Sequence, residues 1–381
     1  MRIAIIGCGY IADSYLRTLP LHPELVLVGV MDRDEGRSTK FSRYYSVPRY
    51  PSLEALLNDE RVELVVNLTN PRSHFAVSKE CLEAGKHVYS EKPLAMVFSE
   101  AEHLVRLAEK RGLHISSAPS RLLAETAQTL WKALRENVIG SVRLAYAEMD
   151  HGLTHRMQYR KWLSASGTPW PYKDEFEVGC TIEHGEYPLR LLTAFFGPVD
   201  SVSAFSSCQI PDKETSTPLD VQAPDFSVAC LKFRSGLVAR LTCSIIAHNN
   251  RNLNLVGDNG ILCVHDISKP RCPVYIKRRL TIRRRTILAP WKRQYPMVGP
   301  PHRLSRVTAR RTGREVDFCL GIAELAGAIQ DRRPCRLSAN YCLHTTEVVL
   351  AIHNALDSGT PYKVRTSFDP IEPMPWSLGR K

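Results

Sequence analysis

The chain has no apolar stretch approaching the roughly 18 residues that a membrane-spanning helix needs. Met1 leads straight into an apolar run, which leaves no room for a signal peptide, so the expected compartment is the cytoplasm. Its eleven cysteines include no C-x-x-C pair. Several of them, Cys81, Cys180, Cys230 and Cys319, lie in apolar runs where a reduced thiol simply packs, so neither a disulfide framework nor a metal site is expected. Internal repeats are absent. Acidic residues are missing altogether between Lys269 and Arg311, where three lysines and eleven arginines give +14 against +12 for the whole chain, leaving the remainder near −2. One segment therefore makes the protein basic. Its arginine clusters are interleaved with Ile282, Ile287, Leu288 and Trp291. That pattern fits a solvated loop or subunit edge, an anionic membrane or glycan surface, or the mouth of a site for an anionic substrate. Nucleic acid is the least favoured partner.

What is present begins at residue 1. The run Ile3–Ile6 stands directly before Gly7-x-Gly9-x-x-Ala12, and a second apolar run, Leu25–Met31, ends at Asp32. Gly7 permits a tight turn off a strand, Gly9 lets the backbone approach a pyrophosphate, and Ala12 allows the following helix to pack close to the sheet. Tyr10 and Ile11 complete the turn and belong to the same cofactor-binding set. Asp32 falls where a carboxylate accepts hydrogen bonds from the adenosine ribose and repels a ribose phosphate, which favours NAD. Arg33, beside it, leaves NADP open.

A length of 381 residues suits two domains. Apolar runs at Arg2–Ile6, Leu25–Met31, Val62–Leu68, His87–Tyr89 and His114–Ser117 alternate with helical patterns such as Ser73–Ala84 and Ser99–Arg111. This predicts a doubly wound parallel sheet, a Rossmann α/β domain over residues 1–120. A bridging helix follows at Leu122–Glu136. Beyond it, Val142–Met149, Val202–Phe205, Phe226–Phe233 and Leu237–Ile246 alternate apolar and polar residues, with a hairpin turn at Arg234-Ser235-Gly236. Helices are expected at Phe318–Gln330 and Leu343–Leu356. Residues 121–381 thus read as an α+β domain with a large, mostly antiparallel open sheet, a basic insertion over about 269–311, and a role in substrate binding and oligomerisation.

The run ending at Tyr89 enters Ser90-Glu91-Lys92-Pro93 at the carboxyl edge of the predicted sheet, where doubly wound folds bind ligands. An ammonium there can hydrogen-bond a substrate oxygen as hydride moves. The glycine fingerprint, Thr69-Asn70-Pro71-Arg72-Ser73-His74, the Glu91-Lys92-Pro93 turn and the antiparallel second domain together resemble the Gfo/Idh/MocA oxidoreductase family, from Met1 to about Thr366. The resemblance implies that Lys92 is the catalytic lysine, with Glu91 and Pro93 as flanking cofactor contacts. It places Thr69, Asn70 and His74 beside the nicotinamide ribose, although Asn70-Pro71 inverts the family's usual Pro-Asn. It also implies a homodimer or homotetramer.

A larger departure lies in Gly179-Cys180-Thr181-Ile182-Glu183-His184-Gly185-Glu186-Tyr187. The family usually carries an Asp and, four residues later, a His. With the register set by Gly179 and Gly197, Glu183 takes the place of the Asp and Tyr187 that of the His. A tyrosine, with a pKa of about 10 when unperturbed, can serve as acid/base beside an ammonium such as Lys92. His184, three residues earlier, is the second candidate for that role, and Glu183 orients its neighbours. Upstream, Arg160-Lys161-Trp162 and Trp170-Pro171-Tyr172-Lys173-Asp174-Glu175 form an aromatic, polar stretch suited to a sugar.

Three functions fit these residues. The leading one is an NAD(H)-dependent oxidoreductase acting on a secondary alcohol or ketone of a sugar, sugar derivative or cyclitol. The second is a redox-neutral, NAD-dependent elimination or glycosidic cleavage. The third is a non-catalytic nucleotide-sensing module, against which the retained Glu91-Lys92-Pro93 turn argues.

Overall fold

The computed structural model describes residues 1–300, 316–355 and 360–378. The last part of the basic segment, residues 301–311, and Leu356 of the second predicted C-terminal helix lie outside the described residues. Two compact units divide the chain. The first comprises Met1–Ser120, Gln158–Val178 and Asp317–Leu350, and the second takes Arg121–Met157 with the described parts of Gly179–Val316 and Ala351–Lys381. The units are therefore not consecutive stretches of chain.

In the first unit, β1 (Arg2–Ile6), β2 (Val26–Met31), β3 (Leu64–Asn67), β4 (His87–Ser90) and β5 (Ile115–Ser117) form a parallel sheet in the order β2-β1-β3-β4-β5. The alternation of apolar runs and helical patterns predicted this sheet, and the strands are near-continuous hydrophobic runs because helices cover both faces. The order reverses between β1 and β3, which places the topological switch point at the ends of these two strands. Ile3, Ile5, Leu64, Val66 and Tyr15 share one core with Ile322, Leu325 and Ala326 of the helix Leu320–Gln330. That late helix packs close to the sheet because Gly321 faces the Tyr89 ring, where an added Cβ would stand 2.8 Å from Cε2.

In the second unit the sheet has ten strands: β6 (Val142–Asp150), β7 (Val199–Ser207), β8 (Phe226–Phe233), β9 (Val238–Ser244), β10 (Leu253–Gly257), β11 (Gly260–Val264), β12 (Val274–Ile282), β13 (Arg285–Leu288), β14 (Arg293–Gln294) and β15 (Tyr362–Lys363). They run β13-β12-β11-β10-β6-β9-β8-β7-β15, with β14 beside β12. Among the described strands of this sheet only β6 and β9 pair in parallel. The β8–β9 hairpin turns at Gly236, whose φ of 89° is a left-handed conformation that suits glycine. Helices Glu125–Arg135 and Glu186–Phe196 pack together through Trp131 and Phe195, ring centroids 5.5 Å apart. The described part of the basic segment is not loop throughout: most of its arginines sit on β12, β13 and their turn, while residues 269–273, 289–292 and 295–300 lie outside strands.

Candidate active site

At the switch point of the first unit, Gly7 has φ 98°, and an added Cβ would stand 2.6 Å from the Leu68 carbonyl carbon and 2.8 Å from the Thr69 nitrogen. The chain emerging from β3 touches the turn leaving β1, so only glycine fits. Gly9 differs: an added Cβ there meets nothing within 4 Å, and its φ is not left-handed. The surface above Gly9 is open, as a cradle for a dinucleotide backbone must be. Asp32 closes the turn from below. Its Oδ2 accepts from the Cys8 N–H at 2.8 Å, its Oδ1 accepts from the Asp34 N–H at 2.8 Å, and Arg37 lies 3.5 Å away. The carboxylate thus fixes the glycine turn, and Arg37 offsets its charge. Arg33 is exposed.

The Lys92 turn is held from two sides. The Tyr15 hydroxyl donates to Glu91 Oε1 at 2.7 Å, and the Lys92 N–H donates to Glu91 Oε2 at 3.1 Å. Burial, and after it the Glu91 carboxylate, hold the Tyr15 phenol well above its ordinary pKa, so it stays a donor. His74 is fully buried, with Nδ1 2.7 Å from the Pro93 carbonyl and Nε2 3.1 Å from that of Thr69. Burial lowers its pKa against the pull of those carbonyls. The imidazole therefore ties the Thr69 turn to the Lys92 turn. Asn67 fixes Thr69, accepting from both its N–H (3.2 Å) and its hydroxyl (2.7 Å). Lys92 is buried and follows a strand end, and its peptide bond to Pro93 is cis. Near these turns Asn70 Oδ1 and Ser90 Oγ are buried without a hydrogen-bond partner among the described residues. Buried polar atoms of this kind ordinarily find partners, which fits a bound polar group at the site.

The aromatic stretch upstream of the motif belongs to this first unit. Tyr159, Trp170 and Phe176 cluster there, with Trp162 against Trp170. Its tip reaches the glycine-turn helix Ala12–Thr18: Asp13, fully buried, accepts from the Ser166 N–H and hydroxyl, each at 2.8 Å, and from the Tyr45 hydroxyl at 2.7 Å. Nothing in the sequence pattern connects Ser166 with Asp13.

In the second unit, Gly179 and Gly197 have φ of 88° and 85° and bound the motif that the sequence register located. The helix Cys180–His184 passes through Gly185 into the helix Glu186–Phe196. His184 stacks on His151, centroids 3.6 Å apart and planes 13° apart. Arg251 Nη2 lies 3.2 Å from His151 Nδ1. Asp150, just before this pair, has its carboxyl raised to about 6 by burial and then by Glu148. Tyr187 lies under the Arg121 guanidinium, 6.0 Å from its ring centroid. Beside it, Glu186 and Arg190 form an ion pair with Nη2–Oε2 2.8 Å and Nε–Oε2 2.9 Å. His151, Arg251 and Arg121 carried no sequence signal, since they reach the motif only through the fold. Among the described residues no group of three or more His, Cys, Asp or Glu is arranged to hold a metal ion.

Comparison with known proteins matches residues 1–118 to the GFO/IDH/MocA oxidoreductase family, NAD-binding Rossmann fold, and residues 127–263 to the GFO/IDH/MocA C-terminal domain. The chain belongs to the Gfo/Idh/MocA family. Within it, the trans-1,2-dihydrobenzene-1,2-diol dehydrogenase of Bos taurus is 27% identical over 266 residues, covering 68% of this chain and 73% of the relative. Among solved Gfo/Idh/MocA-type structures, the WlbA dehydrogenase of Bordetella pertussis, in complex with NADH and UDP-GlcNAcA, superposes with a TM-score of 0.71 at 17% identity over 96% of this chain and 98% of that one. KijD10, a 3-ketoreductase of Actinomadura kijaniata solved with NADP and TDP-benzene, gives 0.70 at 21% identity over 94% and 97%. That ketoreductase has also been solved with a lysine replaced by alanine and with a tyrosine replaced by phenylalanine. At these identities the structural likeness speaks to the fold.

Proposed function

We propose that this member of the family is an NAD(P)(H)-dependent oxidoreductase that interconverts a secondary alcohol and a ketone on a sugar, sugar derivative or cyclitol. The observation that carries the reading is the Lys92 turn, a buried lysine locked by Glu91, Tyr15 and His74 beside a glycine turn left open above Gly9. When bound, the nicotinamide supplies or accepts the hydride. Gly7, Gly9, Tyr10 and Ile11 hold the pyrophosphate. Asp32 and Arg33 face the adenosine ribose, and Thr69, Asn70, His74, Glu91 and Pro93 frame the nicotinamide side. Because Arg37 offsets the Asp32 charge, a ribose phosphate is less strongly repelled than by a bare carboxylate, and NADP remains compatible with the site. Lys92 donates a hydrogen bond to the substrate oxygen and stabilises the charge that develops on it. Tyr187 carries the proton, and the Arg121 cation over its ring favours the phenolate that forms when it gives the proton up. His184, held flat on His151, is the alternative proton carrier, and Glu183 orients the motif.

In this reading residues 1–120 are the nucleotide domain, residues 121–381 serve substrate binding and oligomerisation, and the enzyme is a cytoplasmic homodimer or homotetramer. Leu144, Val238 and Phe205, exposed on strands of the large sheet, support self-association through that face. No described helix is long and apolar enough to cross a membrane. The test follows reduced-nicotinamide absorbance with NAD(H) or NADP(H) and a panel of sugars, cyclitols and nucleotide-linked keto-sugars. Turnover that falls at least about a hundredfold in both Lys92→Ala and Tyr187→Phe, with NADH still bound, supports the reading. Undiminished turnover in Lys92→Ala overturns it. Cleavage of a substituent without net change in absorbance moves the chemistry to redox-neutral elimination.

A further inference from the structure

The basic segment takes no part in the chemistry above, yet within its described part Val274–Ile282 and Arg285–Leu288 form the last ribbon of the ten-stranded sheet. β12 and β13 pair in the register Arg279↔Leu288, Leu280↔Ile287, Thr281↔Thr286 and Ile282↔Arg285. Directly opposed residues share a face of an antiparallel pair, and alternate residues return to it. Leu280, Ile282, Ile287 and Arg285 therefore lie on one face of the ribbon. Ile282 is 57% exposed, Ile287 43% and the nearby Trp291 64%. The ribbon turns at Arg283-Arg284, and Arg283 has φ 55°, the left-handed region where glycine or asparagine is the ordinary choice. Three consecutive arginines thus occupy the tip although the backbone there favours other residues. From Val274 to Gln294 there are six arginines and two lysines and no carboxylate, and among the described residues none of these eight cations forms an ion pair.

We propose that the β12–β13 ribbon docks the protein on an anionic phospholipid bilayer. The arginines engage lipid phosphates, while Leu280, Ile282, Ile287 and Trp291 sit at the boundary between headgroups and acyl chains. Clustered cations beside apolar and tryptophan side chains are the combination such an interface selects. A second copy laid on the same ribbon would set arginine against arginine. A nucleic acid would engage the cations but leave the isoleucines of the apolar face in water.

The test is flotation of the full chain with phosphatidylcholine vesicles, with and without phosphatidylserine. Binding is expected only where phosphatidylserine is present, and it weakens as salt rises. Joint replacement of Arg283, Arg284 and Arg285 by alanine is expected to reduce it about a hundredfold, and Ile282→Ser with Ile287→Ser and Trp291→Ser to reduce it at unchanged charge. NADH binding reports that each variant is folded and, being independent of vesicles, separates failure of this proposal from failure of the dehydrogenase reading. Should the triple arginine variant not fold, the single exposed-tip change Arg284→Glu carries the same test. Absence of binding to phosphatidylserine vesicles overturns the proposal. So does undiminished binding by the serine variant, preferential capture of duplex nucleic acid in competition with vesicles, or a change in oligomeric state in the ribbon variants.

Discussion

Gly7 and Gly9 stand two residues apart in one turn, yet a side chain added at each would meet very different surroundings. At Gly9 an added methyl meets no protein atom within 4 Å and the backbone is not left-handed. Gly9→Ala should leave the fold intact and, by restricting the unfolded chain, stabilise it by about 0.4–1 kcal/mol. In the proposed reading the same methyl projects into the open space that the dinucleotide backbone takes. Displacing even one hydrogen bond to a charged phosphate forfeits about 1.5–3 kcal/mol, which is a roughly 10- to 150-fold weaker Kd. At Gly7 the order reverses. Alanine would have to accept φ 98° and an approach of 2.6 Å to the Leu68 carbonyl. The conformation alone costs about 1–2 kcal/mol, and the overlap adds to it. Thermal unfolding and a titration of NADH fluorescence, run on both variants, measure the two effects. The reasoning is refuted if Gly9→Ala binds NADH as the wild type does, because the dinucleotide then does not cross Gly9. It is equally refuted if Gly9→Ala unfolds, since the position would then be structural.

Two further outcomes concern stability. Burial pulls the His22 imidazole down, but its hydrogen bonds to Asp317 (2.8 Å) and Glu24 (3.1 Å) outweigh this and leave its pKa raised. A raised folded pKa means that the contribution is complete below the unfolded value of about 6.5 and is lost as pH rises through the folded value. Urea unfolding at a series of pH values should show that decline, and Asp317→Asn should flatten it. Glu186→Ala removes the carboxylate paired with the Arg190 guanidinium, whose side chain is 1% exposed. The expected loss is about 3–5 kcal/mol in chemical denaturation, and a loss below 1 kcal/mol would show that other groups compensate the arginine.

Much of the first unit was legible because local and global signals agree there. A buried parallel strand must be an apolar run and a helix packed on the sheet must repeat its apolar residues every three to four positions, so the strand Arg2–Ile6 and the helix Phe98–Lys110 fall within a residue of their expected limits. Gly7 and Asp32 stood out through spacing, and Lys92 through its place just past a strand end. The partners that hold these residues were not legible. Tyr15 on Glu91, Asn67 on Thr69 and Ser166 on Asp13 are separated in sequence by 76, 2 and 153 positions. Each is an ordinary polar residue until the fold brings it to its partner. The return of Gln158–Val178 and Asp317–Leu350 to the first unit was invisible for the same reason, since periodicity specifies an element's buried face but not what buries it.

The sequence by itself determined the element types of the first unit, the glycine turn after β1 and the position of Lys92 just past β4, because backbone conformation and hydrophobic period are local properties. Tertiary structure alone decided that His74 would tie two loops rather than face solvent, and that His184 would stack on His151 while Tyr187 lies under Arg121. It also decided that Val274–Ile282 and Arg285–Leu288 of the arginine-rich segment would pair as a sheet ribbon with Leu280, Ile282 and Ile287 on one face. These outcomes depend on distance through space, which a linear chain specifies only collectively, through the packing of its whole core.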